Sequence, residues 1–247
     1  MSPRIKKIIF WSLASCGMVF LLGFAHSEQN NQHCTELNIM VDNAVGGYFI
    51  TSDAVATLVA QTYPDLTQVT IKEINTRLLE ELITESPWVE EAEVFYNLNG
   101  QVTAKVKQKQ PIARVFDANK SYYLDDMGEK MPLSGKYTAE VPLITGISND
   151  DHLMEARLLL MAIRQNKRLA SLIGGLTRKA NGDFVLFPVM GNHKVLFGPA
   201  QEPEKRLRKL AIFYNQGLEA SEEAAVAWVN LKYRNQVIIQ KKGYEQE

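Results

Sequence analysis

The chain has 247 residues, a formal net charge of -1 and 46% hydrophobic residues, enough for about two domains with cores of their own. The near-neutral balance leaves no electrostatic footprint for nucleic acid. Two cysteines in all exclude a disulfide-stapled scaffold.

Arg4, Lys6 and Lys7 make residues 1–7 a short basic tail, followed by an uncharged apolar run from Ile8 to Ala25. A helix over that run reaches roughly 27 Å, close to the hydrocarbon thickness of a bilayer. It reads as a membrane anchor with the N-terminus cytoplasmic and the bulk outside. A signal peptide cleaved after Gly23-Phe24-Ala25 is the competing reading. Leu13-Ala14-Ser15-Cys16 looks like a lipoprotein box, but the chain stays membrane-like through Leu22 where a lipoprotein turns polar. Residues 26–34 form a polar linker. Cys16 inside the span and Cys34 beyond it are poorly placed to bridge within one chain. Cys34 is therefore expected as an unpaired thiol, with a bridge between two copies as the alternative.

Leu37, Ile39 and Val41 alternate as a first strand. Thr51 or Ser52 caps a helix over 53–61, which Tyr63-Pro64 closes. Ile71, Ile74, Leu78, Leu79, Leu82 and Ile83 recur at helical spacing, predicting one helix over 71–84 with a buried stripe, ended by Ser86-Pro87. Two alternating strands follow. Their apolar faces superimpose only if Tyr96 pairs with Val102 and Val94 with Ala104. That register leaves Leu98-Asn99-Gly100 as a three-residue loop, with Gly100 left-handed. It sets Glu93 opposite Lys105 and Glu91 opposite Lys107 on the wet face. The helix and hairpin carry no chemistry; they are built to pack and to offer a sheet edge.

Beyond Pro111 the pattern turns β-rich, with strands expected over 112–116, 122–124, 130–133 and 141–146. Asn149 or Asp150 caps a long helix over 151–173, ended by Gly174-Gly175. A hairpin over 184–187 and 194–197 follows, then a charged helix over 203–217. Its Lys205, Arg206, Arg208 and Lys209 read as a solvated face. The chain closes with one strand over 228–241, in which Val229, Leu231, Tyr233, Val237 and Ile239 share a face. The fold class is α+β: one N-terminal transmembrane helix, a β-α-α-β-β domain over 35–110, and a mainly antiparallel β domain with two helices over 111–247.

The order strand–helix–helix–strand–strand, with Pro87-Trp88-Val89 after the second helix and Gln110-Pro111 after the last strand, resembles the POTRA domain of the FtsQ/DivIB cell-division family. Tyr123-Leu124-Asp125-Asp126-Met127-Gly128, Val141 to Gly146, Lys205 to Tyr214 and Val229-Asn230-Leu231-Lys232-Tyr233 are similar to later elements of that family. Asn230 departs from its frequent aspartate, and the tail before the anchor is short. The resemblance implies a single-pass scaffold of the divisome at the bacterial inner membrane, mostly periplasmic and enriched at the septum. It implies binding to FtsB- and FtsL-type proteins and a role in controlling septal peptidoglycan synthesis. It also implies that the last strand binds its partner by strand addition. Leu231, Lys232, Tyr233, Arg234, Asn235, Gln236, Val237 and Ile239 are the expected contact residues. Lys232, Arg234, Lys241 and Lys242 would favour an acidic partner.

No nucleophile elbow, zinc-protease motif or phosphate-binding glycine loop occurs, and the four histidines are scattered. Neither a catalytic site nor a metal or other cofactor is expected. An outer-membrane assembly or secretion factor is the alternative, weakened by the lack of a barrel-like strand array. A cell-wall enzyme is the least supported reading.

Overall fold

The computed structural model describes Trp11, Leu13, 15–20, 32–42, 46–117, 120–215 and 225–243. Most of the expected anchor from Ile8 to Ala25, all of the tail over 1–7 and most of the linker lie outside the described residues. Those of the anchor that are described are helical and exposed, and no described helix is long and apolar enough to cross a membrane. The chain divides into two compact units, Met1–Gln108 and Lys109–Glu247.

In the N-terminal unit, β1 (Glu36–Val41), α1 (Ser52–Thr62), α2 (Thr76–Thr84), β2 (Val89–Tyr96) and β3 (Gln101–Gln108) follow the expected order. β3 is central, parallel to β1 and antiparallel to β2. The hairpin register is the one that the alternation requires: Tyr96 faces Val102, Val94 faces Ala104 and Glu93 faces Lys105. Asn97 N–H donates to the Gln101 carbonyl, leaving Leu98–Gly100 as the loop with Gly100 at φ 78°. Glu91 stands opposite Lys107 as well, yet the Lys107 ammonium pairs with Glu90, which a bulge between Val89 and Glu91 brings round. Val94, Val102, Ala104 and Val106 are buried against Val55, Val59, Leu79 and Ile83 of the helices. Each of these valines, leucines and isoleucines contributes on the order of 1.5–3 kcal/mol, and the Ala104 methyl about 0.8 kcal/mol.

The helix expected over 71–84 is two pieces. Thr70 and Glu73 form a capping box around a single 3-10 turn, Ile71–Glu73. The Asn75 side chain then accepts the Leu78 N–H at 3.1 Å and starts α2 afresh. That restart turns Leu78 outward, 42% exposed, while Leu79 and Ile83 are buried. Cys34 is a free thiol buried in this core, and burial pushes its pKa up.

The C-terminal unit holds one nine-stranded sheet. Its strands are β4 (Pro111–Asp117), β5 (Lys120–Asp125), β6 (Lys130–Met131), β7 (Leu143–Thr145), β8 (Ile173–Arg178), β9 (Phe184–Pro188), β10 (Lys194–Gly198), β11 (Val226–Asn230) and β12 (Ile238–Lys241). Across the sheet they run β12-β11-β10-β9-β8-β7-β4-β5-β6. Three joins, β10–β11, β7–β8 and β4–β7, are parallel and the rest antiparallel. One face is covered by α3 (Asp150–Arg164), α4 (Lys167–Leu172) and α5 (Pro203–Asn215), which bury Leu153, Leu159, Leu160, Ile163, Leu169, Leu207 and Leu210 against it. Three described helices replace the expected two. The long helix over 151–173 breaks because Asn166 caps a new helix, its side chain accepting the N–H groups of Arg168 and Leu169. Gly174 and Gly175 do not end a helix; they lie inside β8, where a Cβ on Gly175 would stand 3.1 Å from the Leu143 carbonyl of the neighbouring strand.

The single last strand expected over 228–241 is a hairpin. β11 and β12 pair antiparallel, Asn230 facing Ile238, and residues 231–237 turn the chain between them.

Candidate partner-binding edge

Sheet edges are the structural feature here with binding potential, because an unpaired edge offers free N–H and C=O groups. The outer edge of β2 is blunted: Glu80 of α2 accepts the Val94 N–H at 2.8 Å. β6 is only two residues long. β12 is different. Among the described residues its only sheet neighbour is β11.

One register row makes the edge chemically specific. Val115, Ile144, Leu176, Leu186, Val195 and Val229 face one another in turn from β4 to β11, and all are buried. The next member, opposite Val229, is Ile239 on β12, which is 39% exposed. The core row therefore runs off the sheet into solvent. Val237, two residues earlier, packs partly against the same core, and Lys241, two residues later, is exposed.

The expected contact residues are divided by the hairpin. Leu231 is buried and its N–H donates to the Leu196 carbonyl, so it belongs to the core. Tyr233, which alternation places on the face of Val229 and Leu231, is 51% exposed, and Lys232, Arg234, Asn235 and Gln236 are exposed around the turn. Only Val237 and Ile239 of the set border the open edge. Of the other signature residues, Val89 is buried at the start of β2 with Pro87 exposed and Trp88 half-buried before it. Pro111 is buried at the start of β4, and the Gln110 carbonyl accepts the Asp126 N–H at 3.1 Å.

The turn over 231–237 contains neither glycine nor proline, and long-range ties hold it instead. Asn230 accepts the Lys232 N–H at 3.0 Å. The Lys232 ammonium pairs with Asp183 in the β8–β9 turn. From α5, the Lys209 ammonium donates to the carbonyls of Leu231 at 2.9 Å, of Tyr233, and of Gln236 at 3.5 Å. One helical turn earlier, the Arg206 guanidinium donates to the carbonyls of Pro199 and Gln201 and lies over the Phe197 ring. Burial pushes the pKa values of both Lys209 and Arg206 down, and for Lys209 the neighbouring Arg206 charge adds to the effect. The solvated-face reading of this basic run holds for Lys205 and Arg208, which are exposed, and fails for Arg206 and Lys209. The sequence did carry a signal: positions 206 and 209 flank the buried stripe Leu207, Leu210 and Tyr214 at helical spacing.

The Lys232–Asp183 tie sets a pH dependence. Its hydrogen bond holds the Asp183 carboxyl below the ordinary value of 3.8. A carboxylate depressed on folding stabilises the fold above its unfolded pKa, and that contribution is lost as pH falls through the folded value. Amide exchange over 231–237 is thus expected to be flat above about pH 5 and to quicken below pH 3.8 beyond its intrinsic pH trend. Asp183→Asn should abolish the difference; an unchanged acid response in that variant would count against the tie.

A β-α-α-β-β module followed by a one-sided mixed β domain defines the class: a POTRA-bearing protein with an appended β domain. Two matches agree with that division, a POTRA-like domain over residues 32–107 and the family described as FtsQ/DivIB, C-terminal related, over residues 110–239. The chain belongs to the FtsQ/DivIB family. It is 26% identical over 184 residues to the cell division protein FtsQ of Rhodothermus marinus, covering 70% of this chain and 67% of that protein. It is 27% identical over 184 residues to the FtsQ of Geotalea daltonii, covering 68% of this chain and 64% of that one. The extracytoplasmic domain of DivIB from Geobacillus stearothermophilus aligns at 16% identity over 45% of this chain and 98% of its own, with a TM-score of 0.29, too low to add weight.

Proposed function

We propose that this chain is a non-catalytic scaffold of the cell-division machinery. It is held in the cytoplasmic membrane by Ile8 to Ala25, lies mostly in the periplasm, and is enriched at the septum. Its C-terminal unit binds an FtsB/FtsL-type partner by strand addition to β12, and through that contact it regulates septal peptidoglycan synthesis. The observation that carries this reading is the core row ending at the exposed Ile239 on a strand whose only sheet neighbour among the described residues is β11. A tenth strand would continue the row with an apolar side chain beside Ile239 and bring main-chain groups to β12. Lys241, Lys242 and Arg234 beside that edge favour an incoming strand with acidic flanks and oppose indiscriminate pairing. The two FtsQ relatives supply the setting in cell division. The match over 110–239 leaves the outer-membrane assembly alternative with little support.

Removing residues 238–247 is expected to abolish co-purification with the FtsB-type protein of the same genome. That cut spares Val226, Val229 and Leu231, which are core residues. Undiminished co-purification would sink the strand-addition reading. A reporter enzyme fused after Ala25 should be active outside the cytoplasm, and cytoplasmic activity would reject the topology.

A further inference from the structure

We infer that Lys209 is the positioning residue of the binding edge: its ammonium sets where β12 begins, and so the register in which a partner strand adds. The inference rests on the strand-addition reading and deepens it.

β12 is four residues long and among the described residues pairs with β11 alone; beyond its end the Lys242 N–H donates to the Ala225 carbonyl, so its start is where a further constraint acts. The preceding turn over 231–237 has no glycine or proline to dictate its geometry. Three carbonyls of that turn, at Leu231, Tyr233 and Gln236, converge instead on one Nζ, and an ammonium has three donors. Among the described residues Lys209 makes no salt bridge with a carboxylate, which separates it from Lys205 and Lys232. A half-buried cation spent wholly on main-chain carbonyls holds backbone, and the backbone it holds leads directly into Val237 and Ile239.

The other ties act at the start of the turn, the Leu231 N–H donated to the Leu196 carbonyl among them. The Lys232–Asp183 pair grips the start of the turn through a side chain that is 43% exposed. The Asn230 contact reaches only to Lys232. Lys209 alone joins the first carbonyl of the turn to one at its far end, Gln236, two residues before β12.

The test uses the full chain in detergent, the extracytoplasmic part of the same genome's FtsB-type protein as probe, and four variants. Lys209→Met keeps the stem and removes the donors. Amide exchange over 238–241 should then quicken at least about tenfold, as loss of charge-assisted bonds implies, with exchange in β8 and β9 unchanged. Affinity for the probe should fall by a similar factor while the melting temperature of the core holds. Lys209→Arg, which can donate to carbonyls as Arg206 does, should recover most of both losses. Lys232→Met, removing a more exposed pair, should change either quantity less than threefold or so.

Two failures are distinguishable. If the chain lacking 238–247 binds the probe as the intact chain does, strand addition at β12 falls and this inference with it. If that deletion abolishes binding but Lys209→Met exchanges and binds like the wild type, Lys209 has no positioning role and the strand-addition reading stands. Equal losses in Lys209→Met and Lys209→Arg, or a drop in core exchange protection along with β12, would likewise overturn the inference.

Discussion

Gly146→Ala is expected to lower the melting temperature of the C-terminal unit by about 6–12 °C, the shift that roughly 3 kcal/mol produces in a unit of this size. Gly146 ends β7 at φ 79°, a conformation that costs an L side chain about 1–2 kcal/mol by itself. A Cβ there would stand 2.0 Å from the main-chain carbonyl oxygen of Arg178, too close for any relief short of moving β8. Thr145 and Thr177, paired across the parallel β7–β8 join and linked through their hydroxyls at 2.6 Å, would be pulled apart. Calorimetry checks this directly. A shift below about 2 °C would mean that the β7–β8 junction gives way more easily than its geometry implies.

Gln108→Leu should be at least as damaging, in the other unit. The Gln108 side chain is buried, and its oxygen accepts the N–H groups of Phe49 at 2.7 Å and Ile50 at 3.2 Å. Its amide nitrogen donates to the carbonyls of Asp42 at 2.6 Å and Gly47 at 3.3 Å. One side chain thus fastens the connection between β1 and α1 to the end of β3. Leucine would fill the space and strand up to four main-chain groups, at about 3–5 kcal/mol. Against a marginal stability of roughly 5–10 kcal/mol for a small unit, that predicts rapid proteolysis within residues 42–50. Wild-type resistance there would show that the four bonds are not structural.

How far the fold can be read from the residues depends on where the constraint sits. The β2–β3 register is legible because one dry face, one charged face and one glycine agree on a single alignment, and a one-residue slip would bury Lys105. The breaks in the helices are less legible. Asn75 and Asn166 each sit in an apolar pattern that continues at helical spacing on both sides, so periodicity runs through a cap that only local hydrogen bonding creates. β8 was hidden for a related reason: its paired glycines imitate a helix end, but Gly175 serves the close approach of β7 and Gly174 lies against Val189. The hairpin of β11 and β12 is the instructive failure. Its turn has no glycine or proline, Asn235 being its one turn-favouring residue, and an ammonium that ties it lies on α5, 22 to 27 residues earlier in the chain. A lone asparagine amid polar residues is a weak local mark, and a long-range cation leaves none.

That failure alters the site rather than removing it. A single strand over 228–241 would have kept Tyr233 on one face with Val229 and Leu231 and spread the binding surface over the whole segment. With the hairpin, Leu231 is core, Tyr233 and Arg234 are an exposed rim, and the binding edge contracts to Val237–Lys241. With the β2 edge blunted where Glu80 occupies the Val94 N–H, β1 and β12 remain as edge strands, and β12 is the one at which a buried core row ends at an exposed side chain.

The central claim, that a partner strand adds at β12, is tested most directly by site-specific photocrosslinking in dividing cells. A photoreactive side chain at Ile239 should capture the FtsB-type protein in high yield, whereas one at Leu98 on the β2–β3 loop or at Met127 on the β5–β6 turn should not, although both are exposed. Capture of that partner from Leu98 or Met127 with none from Ile239 would contradict the account.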